Sequence, residues 1–169
     1  MKIIGTIPAR LASTRVKNKN LRKINKNPFI QYIIDSALKS EYLDEIYINS
    51  EAPIFKGIAD QNNIQFYLRD VFLATDTATN DDFALDFINN IECDILIQLL
   101  ATSPFITTED IDRFIGKMLD GEFDTMVSVA NVQIESIYKG IPINFDQRKK
   151  TPPSQELEPI KAYSCRIIN

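Results

Sequence analysis

Short apolar runs alternate along this chain with segments whose apolar residues recur at helical spacing. Residues 2–7 form an Ile-rich run stopped by Pro8, which predicts a buried strand. Residues 29–38 carry apolar side chains at helical intervals, with Pro28 tolerated in the first turn. Residues 45–49 alternate as a strand does, 53–62 read as a helix, and 64–67 as a short strand. The cluster Asn80-Asp81-Asp82 opens a helix over 81–90, and the unbroken apolar run 94–100 predicts a central strand. Thr108-Glu109-Asp110 starts a helix that continues over 111–119, and 124–130 predicts one more strand. Such alternation predicts an α/β fold whose mostly parallel sheet is covered on both faces, with ligands at the carboxyl ends of the strands. Residues 133–169 depart from this rhythm. They hold Pro142, Pro152, Pro153 and Pro159 and little helical period, which predicts hairpins and extended segments outside the main sheet, with a last strand near Cys165. With no internal repeat or linker, 1–169 reads as a single domain.

Composition narrows the chemistry. The chain has 169 residues, 44% hydrophobic and 25% charged, enough for one sizeable core. No apolar run reaches membrane-spanning length and the opening run is too short for a signal peptide, so the expected location is the cytoplasm, with no membrane partner. Cys93 and Cys165 lie far apart without CxxC spacing and read as small core residues. There is no histidine, which removes Ser-His, Cys-His and His-metal mechanisms. Lysine, arginine, carboxylates, hydroxyls, backbone amides or a bound ion must do the work.

The net charge of −4 argues against nucleic acid as a partner, yet it hides an asymmetry. Between Pro8 and Pro28 stand Arg10, Arg15, Lys17, Lys19, Arg22, Lys23 and Lys26, with no acidic residue. A cationic island in an acidic chain points to a confined anion rather than a long polyanion. The island follows the first strand. Its small residues Ala9, Ala12, Ser13 and Thr14 allow close backbone approach, Arg10 can grip phosphate in bidentate fashion, and Lys19 adds a point charge. On spacing alone, a solvated basic loop and a triphosphate cradle stand equally open. The glycines of a Walker loop or a dinucleotide fingerprint are absent.

The stretch Pro8-Ala9-Arg10-x-x-Ser13-x-Arg15-x-x-x-Lys19-Asn20-Leu21-Arg22 resembles the amino-terminal signature of the acylneuraminate cytidylyltransferases, and more distantly that of the Kdo cytidylyltransferases. Leu68-Arg69, then Leu73-Ala74-Thr75-Asp76-Thr77-Ala78-Thr79-Asn80, continues the likeness, as do Leu99-Leu100-Ala101-Thr102-Ser103-Pro104-Phe105 and Ser154-Gln155-Glu156-Leu157-Glu158-Pro159. The resemblance implies a three-layer, Rossmann-like, GT-A-like nucleotidyltransferase that joins CTP to an acidic sugar and releases pyrophosphate. It implies that Arg10 and Lys19 act on the triphosphate, with Ala9, Ser13, Arg15 and Asn20 around the phosphates and ribose. It places Ala74, Asp76 and Asn80 beside the cytosine, and Leu100, Thr102, Ser103 and Arg148 on the sugar side. Arg148, with Lys149 and Lys150, reads equally as an exposed basic cluster. Asp76 and Thr107 read as helix caps in the first instance.

Leu100 stands where many sialic-acid enzymes carry Gln, Ala101 where they carry Pro, and Ile106 where an Arg often follows. A deoxy or deaminated relative of sialic acid is therefore as open as sialic acid itself. Mg²⁺ is expected with the triphosphate, but no motif matches the family's metal-holding aspartates, so its protein ligands stay unassigned and a CTP-binding relative that acts as a non-enzymatic module is the alternative reading. A homodimer is expected, with residues 131–169 as its contact and sugar-side excursion, through Tyr138, Ile141, Ile143 and Phe145.

Overall fold

The structure is a computed structural model and describes residues 1–13, 16–121, 123–150 and 152–162. Arg15 and the strand expected near Cys165 lie outside the described residues. The chain divides into two compact units, one spanning Met1–Met126 and the other beginning at Val127.

In the first unit the elements are β1 (Ile3–Pro8), β2 (Lys23–Ile24), β3 (Asn27–Pro28), α1 (Gln31–Ala37), β4 (Glu45–Ser50), α2 (Ile54–Gln61), β5 (Gln65–Leu68), α3 (Asn80–Asn90), β6 (Ile95–Gln98) and α4 (Thr108–Asp120). Strands β5-β4-β1-β6 form one sheet in that order, every neighbouring pair parallel. The alternation in sequence becomes two covers. Odd-numbered β1 residues Ile3 and Ile7 join Ile48, Ile97 and Leu99 in a core with Ile33, Phe55 and Ile111, which α1, α2 and α4 supply. Even-numbered Ile4 joins Leu96 on the opposite face, under Phe87 of α3. Phe87 sits edge-on to Tyr47 and Tyr67, with ring centroids 5.2 and 5.1 Å away. Helix, sheet and helix make the three expected layers.

Both later helices begin with a capping box. Thr79 accepts from the Asp82 amide at 3.2 Å while the Asp82 carboxylate takes the Thr79 amide at 2.7 Å, and Thr107 and Asp110 repeat the exchange. Thr107 is thus a cap, as its sequence implies. Asp76 is not. Thr79, three residues nearer the helix, takes the α3 cap, because the capping oxygen must lie next to the first turn.

A hairpin inside the cationic island, β2–β3, escaped sequence reading. Its turn residues Asn25 and Lys26 have φ of 49° and 77°, the geometry of a two-residue hairpin loop. Of the strand predicted over 124–130, the described residues show its far end: Ala130–Val132 is β7, which pairs antiparallel with β10 (Ile160–Ala162) in the second unit, Ala130 opposite Ala162.

The second unit also holds a hairpin, β8 (Ile137–Tyr138) with β9 (Ile141–Pro142), turned by Lys139 and Gly140 at φ 50° and 81°. Amide side chains tie the unit together. Asn144 donates to Ile134 and Glu158 carbonyls at 2.9 and 2.8 Å and accepts from the Ser136 amide at 3.0 Å, while Gln133 donates to the Gln155 and Leu157 carbonyls, both at 3.2 Å.

Candidate functional site

The strand order reverses at β1: the chain runs outward through β4 and β5, then returns to place β6 on the other side. The loops leaving β1 and β6 therefore part above their carboxyl ends and leave a crevice. Two cavities open there and share a wall of Pro8, Arg10 and Leu100. The smaller, about 130 Å³, is completed by Ser13, Lys19, Asn20, Ala101 and Thr102. The larger, about 310 Å³, takes its remaining wall from Arg69, the segment between Leu73 and Ala78, Asn80 and Phe83.

The cationic loop is anchored at its root. Ala9 is fully buried and its amide donates to the Asn49 carbonyl at 2.9 Å, and the Leu11 amide donates to Glu51 Oε1 at 2.7 Å. Further on, a 3-10 turn at Lys19–Leu21 buries Asn20, whose Nδ2 donates to the Arg10 carbonyl at 3.3 Å. The Asn20 carbonyl in turn accepts from the Ile30 amide at 3.1 Å, so the far end of the loop is fixed to the start of α1. The loop is pinned at both ends with Arg10 and Lys19 facing one small cavity.

Arg10 Nη1 meets Asp76 Oδ1 at 2.7 Å and the Ala74 carbonyl at 3.3 Å, tying the first loop to the segment before α3. Asp76 is thus a partner of Arg10 across the larger cavity, with its carboxylate 71% exposed. The most unusual side chain is Arg69. It is 3% exposed, its ring-stacking partner is Phe83 at 5.1 Å, and Nη2 lies 3.5 Å from Glu51 Oε2. Its Nε and Nη1 have no hydrogen-bond partner among the described residues. Burial depresses its pKa, the nearby Glu51 carboxylate opposes that, and the Arg10 charge adds to the depression. A guanidinium keeps its charge through such a shift, so Arg69 remains a buried cation with donors to spare, in the wall of a cavity.

Of the residues singled out from sequence, Arg10, Ser13, Lys19, Asn20, Leu100 and Thr102 come together around the smaller cavity, and Ala74, Asp76 and Asn80 around the larger. Ala9 and Ser103 line neither; Ser103 is buried in the turn after β6, its amide donating to the Leu100 carbonyl at 2.9 Å. Arg148 belongs to the second unit, where its Nε pairs with Asp146 at 3.1 Å. Sequence reading includes Arg69 in the family likeness but gives neither it nor Phe83 a role in the site. The signal for Arg69 was available: it is the first residue beyond a strand that a parallel sheet must bring to its carboxyl edge. For the expected metal, no three His, Cys, Asp or Glu side chains gather among the described residues, and the one carboxylate on the cavity walls, Asp76, is engaged by Arg10.

Residues 4–142 match the cytidylyltransferase family. The chain is 30% identical over 131 residues to the 3-deoxy-manno-octulosonate cytidylyltransferase of Bdellovibrio bacteriovorus, covering 78% of this chain and 51% of that protein. It is 36% identical over 107 residues to the N-acylneuraminate cytidylyltransferase of Escherichia coli O18:K1:H7, covering 62% of this chain and 25% of that one. The chain thus spans about half the length of the first of these two relatives and a quarter of the second. Among solved structures, CMP:2-keto-3-deoxy-manno-octonic acid synthetase complexed with CTP superposes with a TM-score of 0.71 at 19% identity, over 98% of this chain and 73% of that one, a likeness of fold.

Proposed function

The chain belongs to the cytidylyltransferase family, and on that premise we propose that it transfers CMP from CTP to the hydroxyl of an acidic sugar, with release of pyrophosphate. One observation carries the reading: two adjoining cavities at the strand-order reversal share Arg10, the smaller adding Lys19 and the larger a buried Arg69 with unpartnered donors. The triphosphate fits the smaller, cationic cavity, gripped by Arg10, Lys19, Ser13 and the loop amides. The base fits the larger one, against the backbone between Leu73 and Ala78 and the Arg69–Phe83 pair. The acceptor enters beside Leu100 and Thr102.

In the reaction the sugar oxygen bonds to the α-phosphorus, the bridging oxygen to the β-phosphorus leaves with pyrophosphate, and the hydroxyl proton is released. Little covalent chemistry is asked of the protein; positioning and neutralisation of phosphate charge do the work. Mg²⁺ would supply neutralisation of charge on the triphosphate, and because it keeps several waters it would not require a cage of protein ligands. The apolar pair Leu100 and Ala101 favours an acceptor that presents a deoxy or otherwise apolar edge, as a 3-deoxy-ulosonic acid does. The protein acts in the cytoplasm, where CTP is found. Homodimerisation through the second unit is supported by Ile137, Tyr138, Ile141 and Ile143, each more than half exposed.

Calorimetry with CTP, UTP, ATP and GTP, followed by pyrophosphate release over a panel of sugar acids, tests the reading. The expected result is CTP preference and turnover with one 3-deoxy-ulosonic or nonulosonic acid. Equal affinity for all four nucleotides, or none, overturns it. Sedimentation tests the dimer, and a monomer at micromolar concentration refutes it.

A further inference from the structure

Glu51 is a largely buried carboxylate that the proposed reaction leaves unused, and its two oxygens contact residues that lead to different halves of the site. Oε1 accepts from the Leu11 amide at 2.7 Å, one residue beyond Arg10. Oε2 lies 3.5 Å from Arg69 Nη2 and 3.5 Å from Ser50 Oγ. The carboxylate is only 11% exposed and Arg69 3%, so water screens this contact little. The backbone around it is fixed as well: the Arg69 amide donates to the Ser50 carbonyl at 3.1 Å, and the Ala52 amide to Ser50 Oγ at 3.1 Å. A single carboxylate thus holds the root of the phosphate-gripping loop and the guanidinium of the base-side cavity in one frame.

We propose that Glu51 is a positioning residue that sets the spacing between the polyphosphate grip and the nucleoside pocket, so that a nucleoside triphosphate engages both at once. This rests on the nucleotide reading above. A ligand that fills one half gains little from that spacing, whereas one that spans both gains all of it, because two linked contacts form at the entropic cost of one. Glu51 also offsets the burial of the Arg69 charge, and an amide in its place would keep the Leu11 contact while losing that compensation.

The test compares three ligands by calorimetry: inorganic tripolyphosphate, which reads the loop; CMP, which reads the nucleoside pocket; and CTP, which reads both. In Glu51→Gln, tripolyphosphate and CMP should each weaken by no more than about threefold while CTP weakens by about thirtyfold or more, beyond the product of the separate losses. Glu51→Asp, which keeps the charge but reaches less far, should fall between. Equal losses for all three ligands, or a CTP loss no greater than the CMP loss, overturn the proposal. If Glu51→Gln fails to fold, the pair Glu51→Gln with Arg69→Gln removes both buried charges together. It is expected to bind CTP no more weakly than Arg69→Gln alone, and a further tenfold loss would overturn the proposal. Wild-type protein that binds neither CTP nor CMP would remove the nucleotide reading itself; wild-type binding with uniform losses in the variant would leave that reading standing and remove only the role of Glu51.

Discussion

The two faces of the parallel sheet come from the same strands and differ in kind. One face is sealed by Ile3, Ile7, Ile48, Ile97 and Leu99 against three helices. The other is apolar only where Phe87 of α3 covers Ile4, Tyr47 and Leu96. Two residues further along those same strands stand Thr6, Asn49 and Gln98, with Arg69 just past β5, all buried. Thr6 Oγ1, both polar atoms of Asn49 and of Gln98, and two Arg69 nitrogens have no hydrogen-bond partner among the described residues. Burying a polar group without a partner disfavours folding. The polar row lies one pleat below Pro8 and Leu100, which line both cavities. The sheet keeps one face for stability and gives up stability on the other where the ligand site begins.

That division is open to attack from either side. Ile97→Ala, on the sealed face, should cost about 2–5 kcal/mol of unfolding free energy in urea, while CTP affinity of the folded protein changes less than about twofold. Arg10→Ala should do the reverse. Its side chain is 35% exposed, so stability moves little, but loss of a charged contact to phosphate should weaken CTP by about 1.5–3 kcal/mol, read by calorimetry. Gln98→Leu sharpens the comparison further: removing an unpartnered buried amide that lines neither cavity should raise stability by about 1 kcal/mol and leave CTP binding intact.

Asp76→Asn should act weakly and in the opposite sense to Arg10→Ala. The exposed carboxylate competes with phosphate for Arg10, so its removal should tighten CTP by about 0.2–1 kcal/mol. The smallest effect concerns acid. Asp82 and Asp110 have pKa values held below the usual 3.8, first by hydrogen bonds from the Thr79 and Thr107 amides. Groups with depressed folded pKa values contribute stability above the unfolded value and lose it as pH falls through the folded one. The Tm difference between wild type and Asp82→Ala with Asp110→Ala should therefore be present at pH 7 and vanish as pH is taken below 3.8 through the depressed values.

Much of the fold was legible because its signals are local. The apolar run before Pro8, the period of 111–119 and the Thr-x-x-Asp box at Thr107 each act over a few residues, and each element formed within two or three residues of where the pattern puts it. What was not legible depends on distant partners. Asp76 has the chemistry of a cap but is held by Arg10, 66 positions away. Arg69 stands in a stretch that resembles the family, yet nothing near it in sequence says that it is buried; folding packs it against Phe83 and Glu51.

By itself, then, the sequence determined that strands and helices alternate, where the helices begin, and that a cationic loop follows the first strand, since these depend on neighbouring side chains and backbone amides. The tertiary structure decided that β6 returns beside β1, and with it that Leu100 and Thr102 meet Arg10 and Lys19. Strand order is a choice among long-range pairings whose faces look alike from within any one strand, and burial over the whole sheet makes that choice.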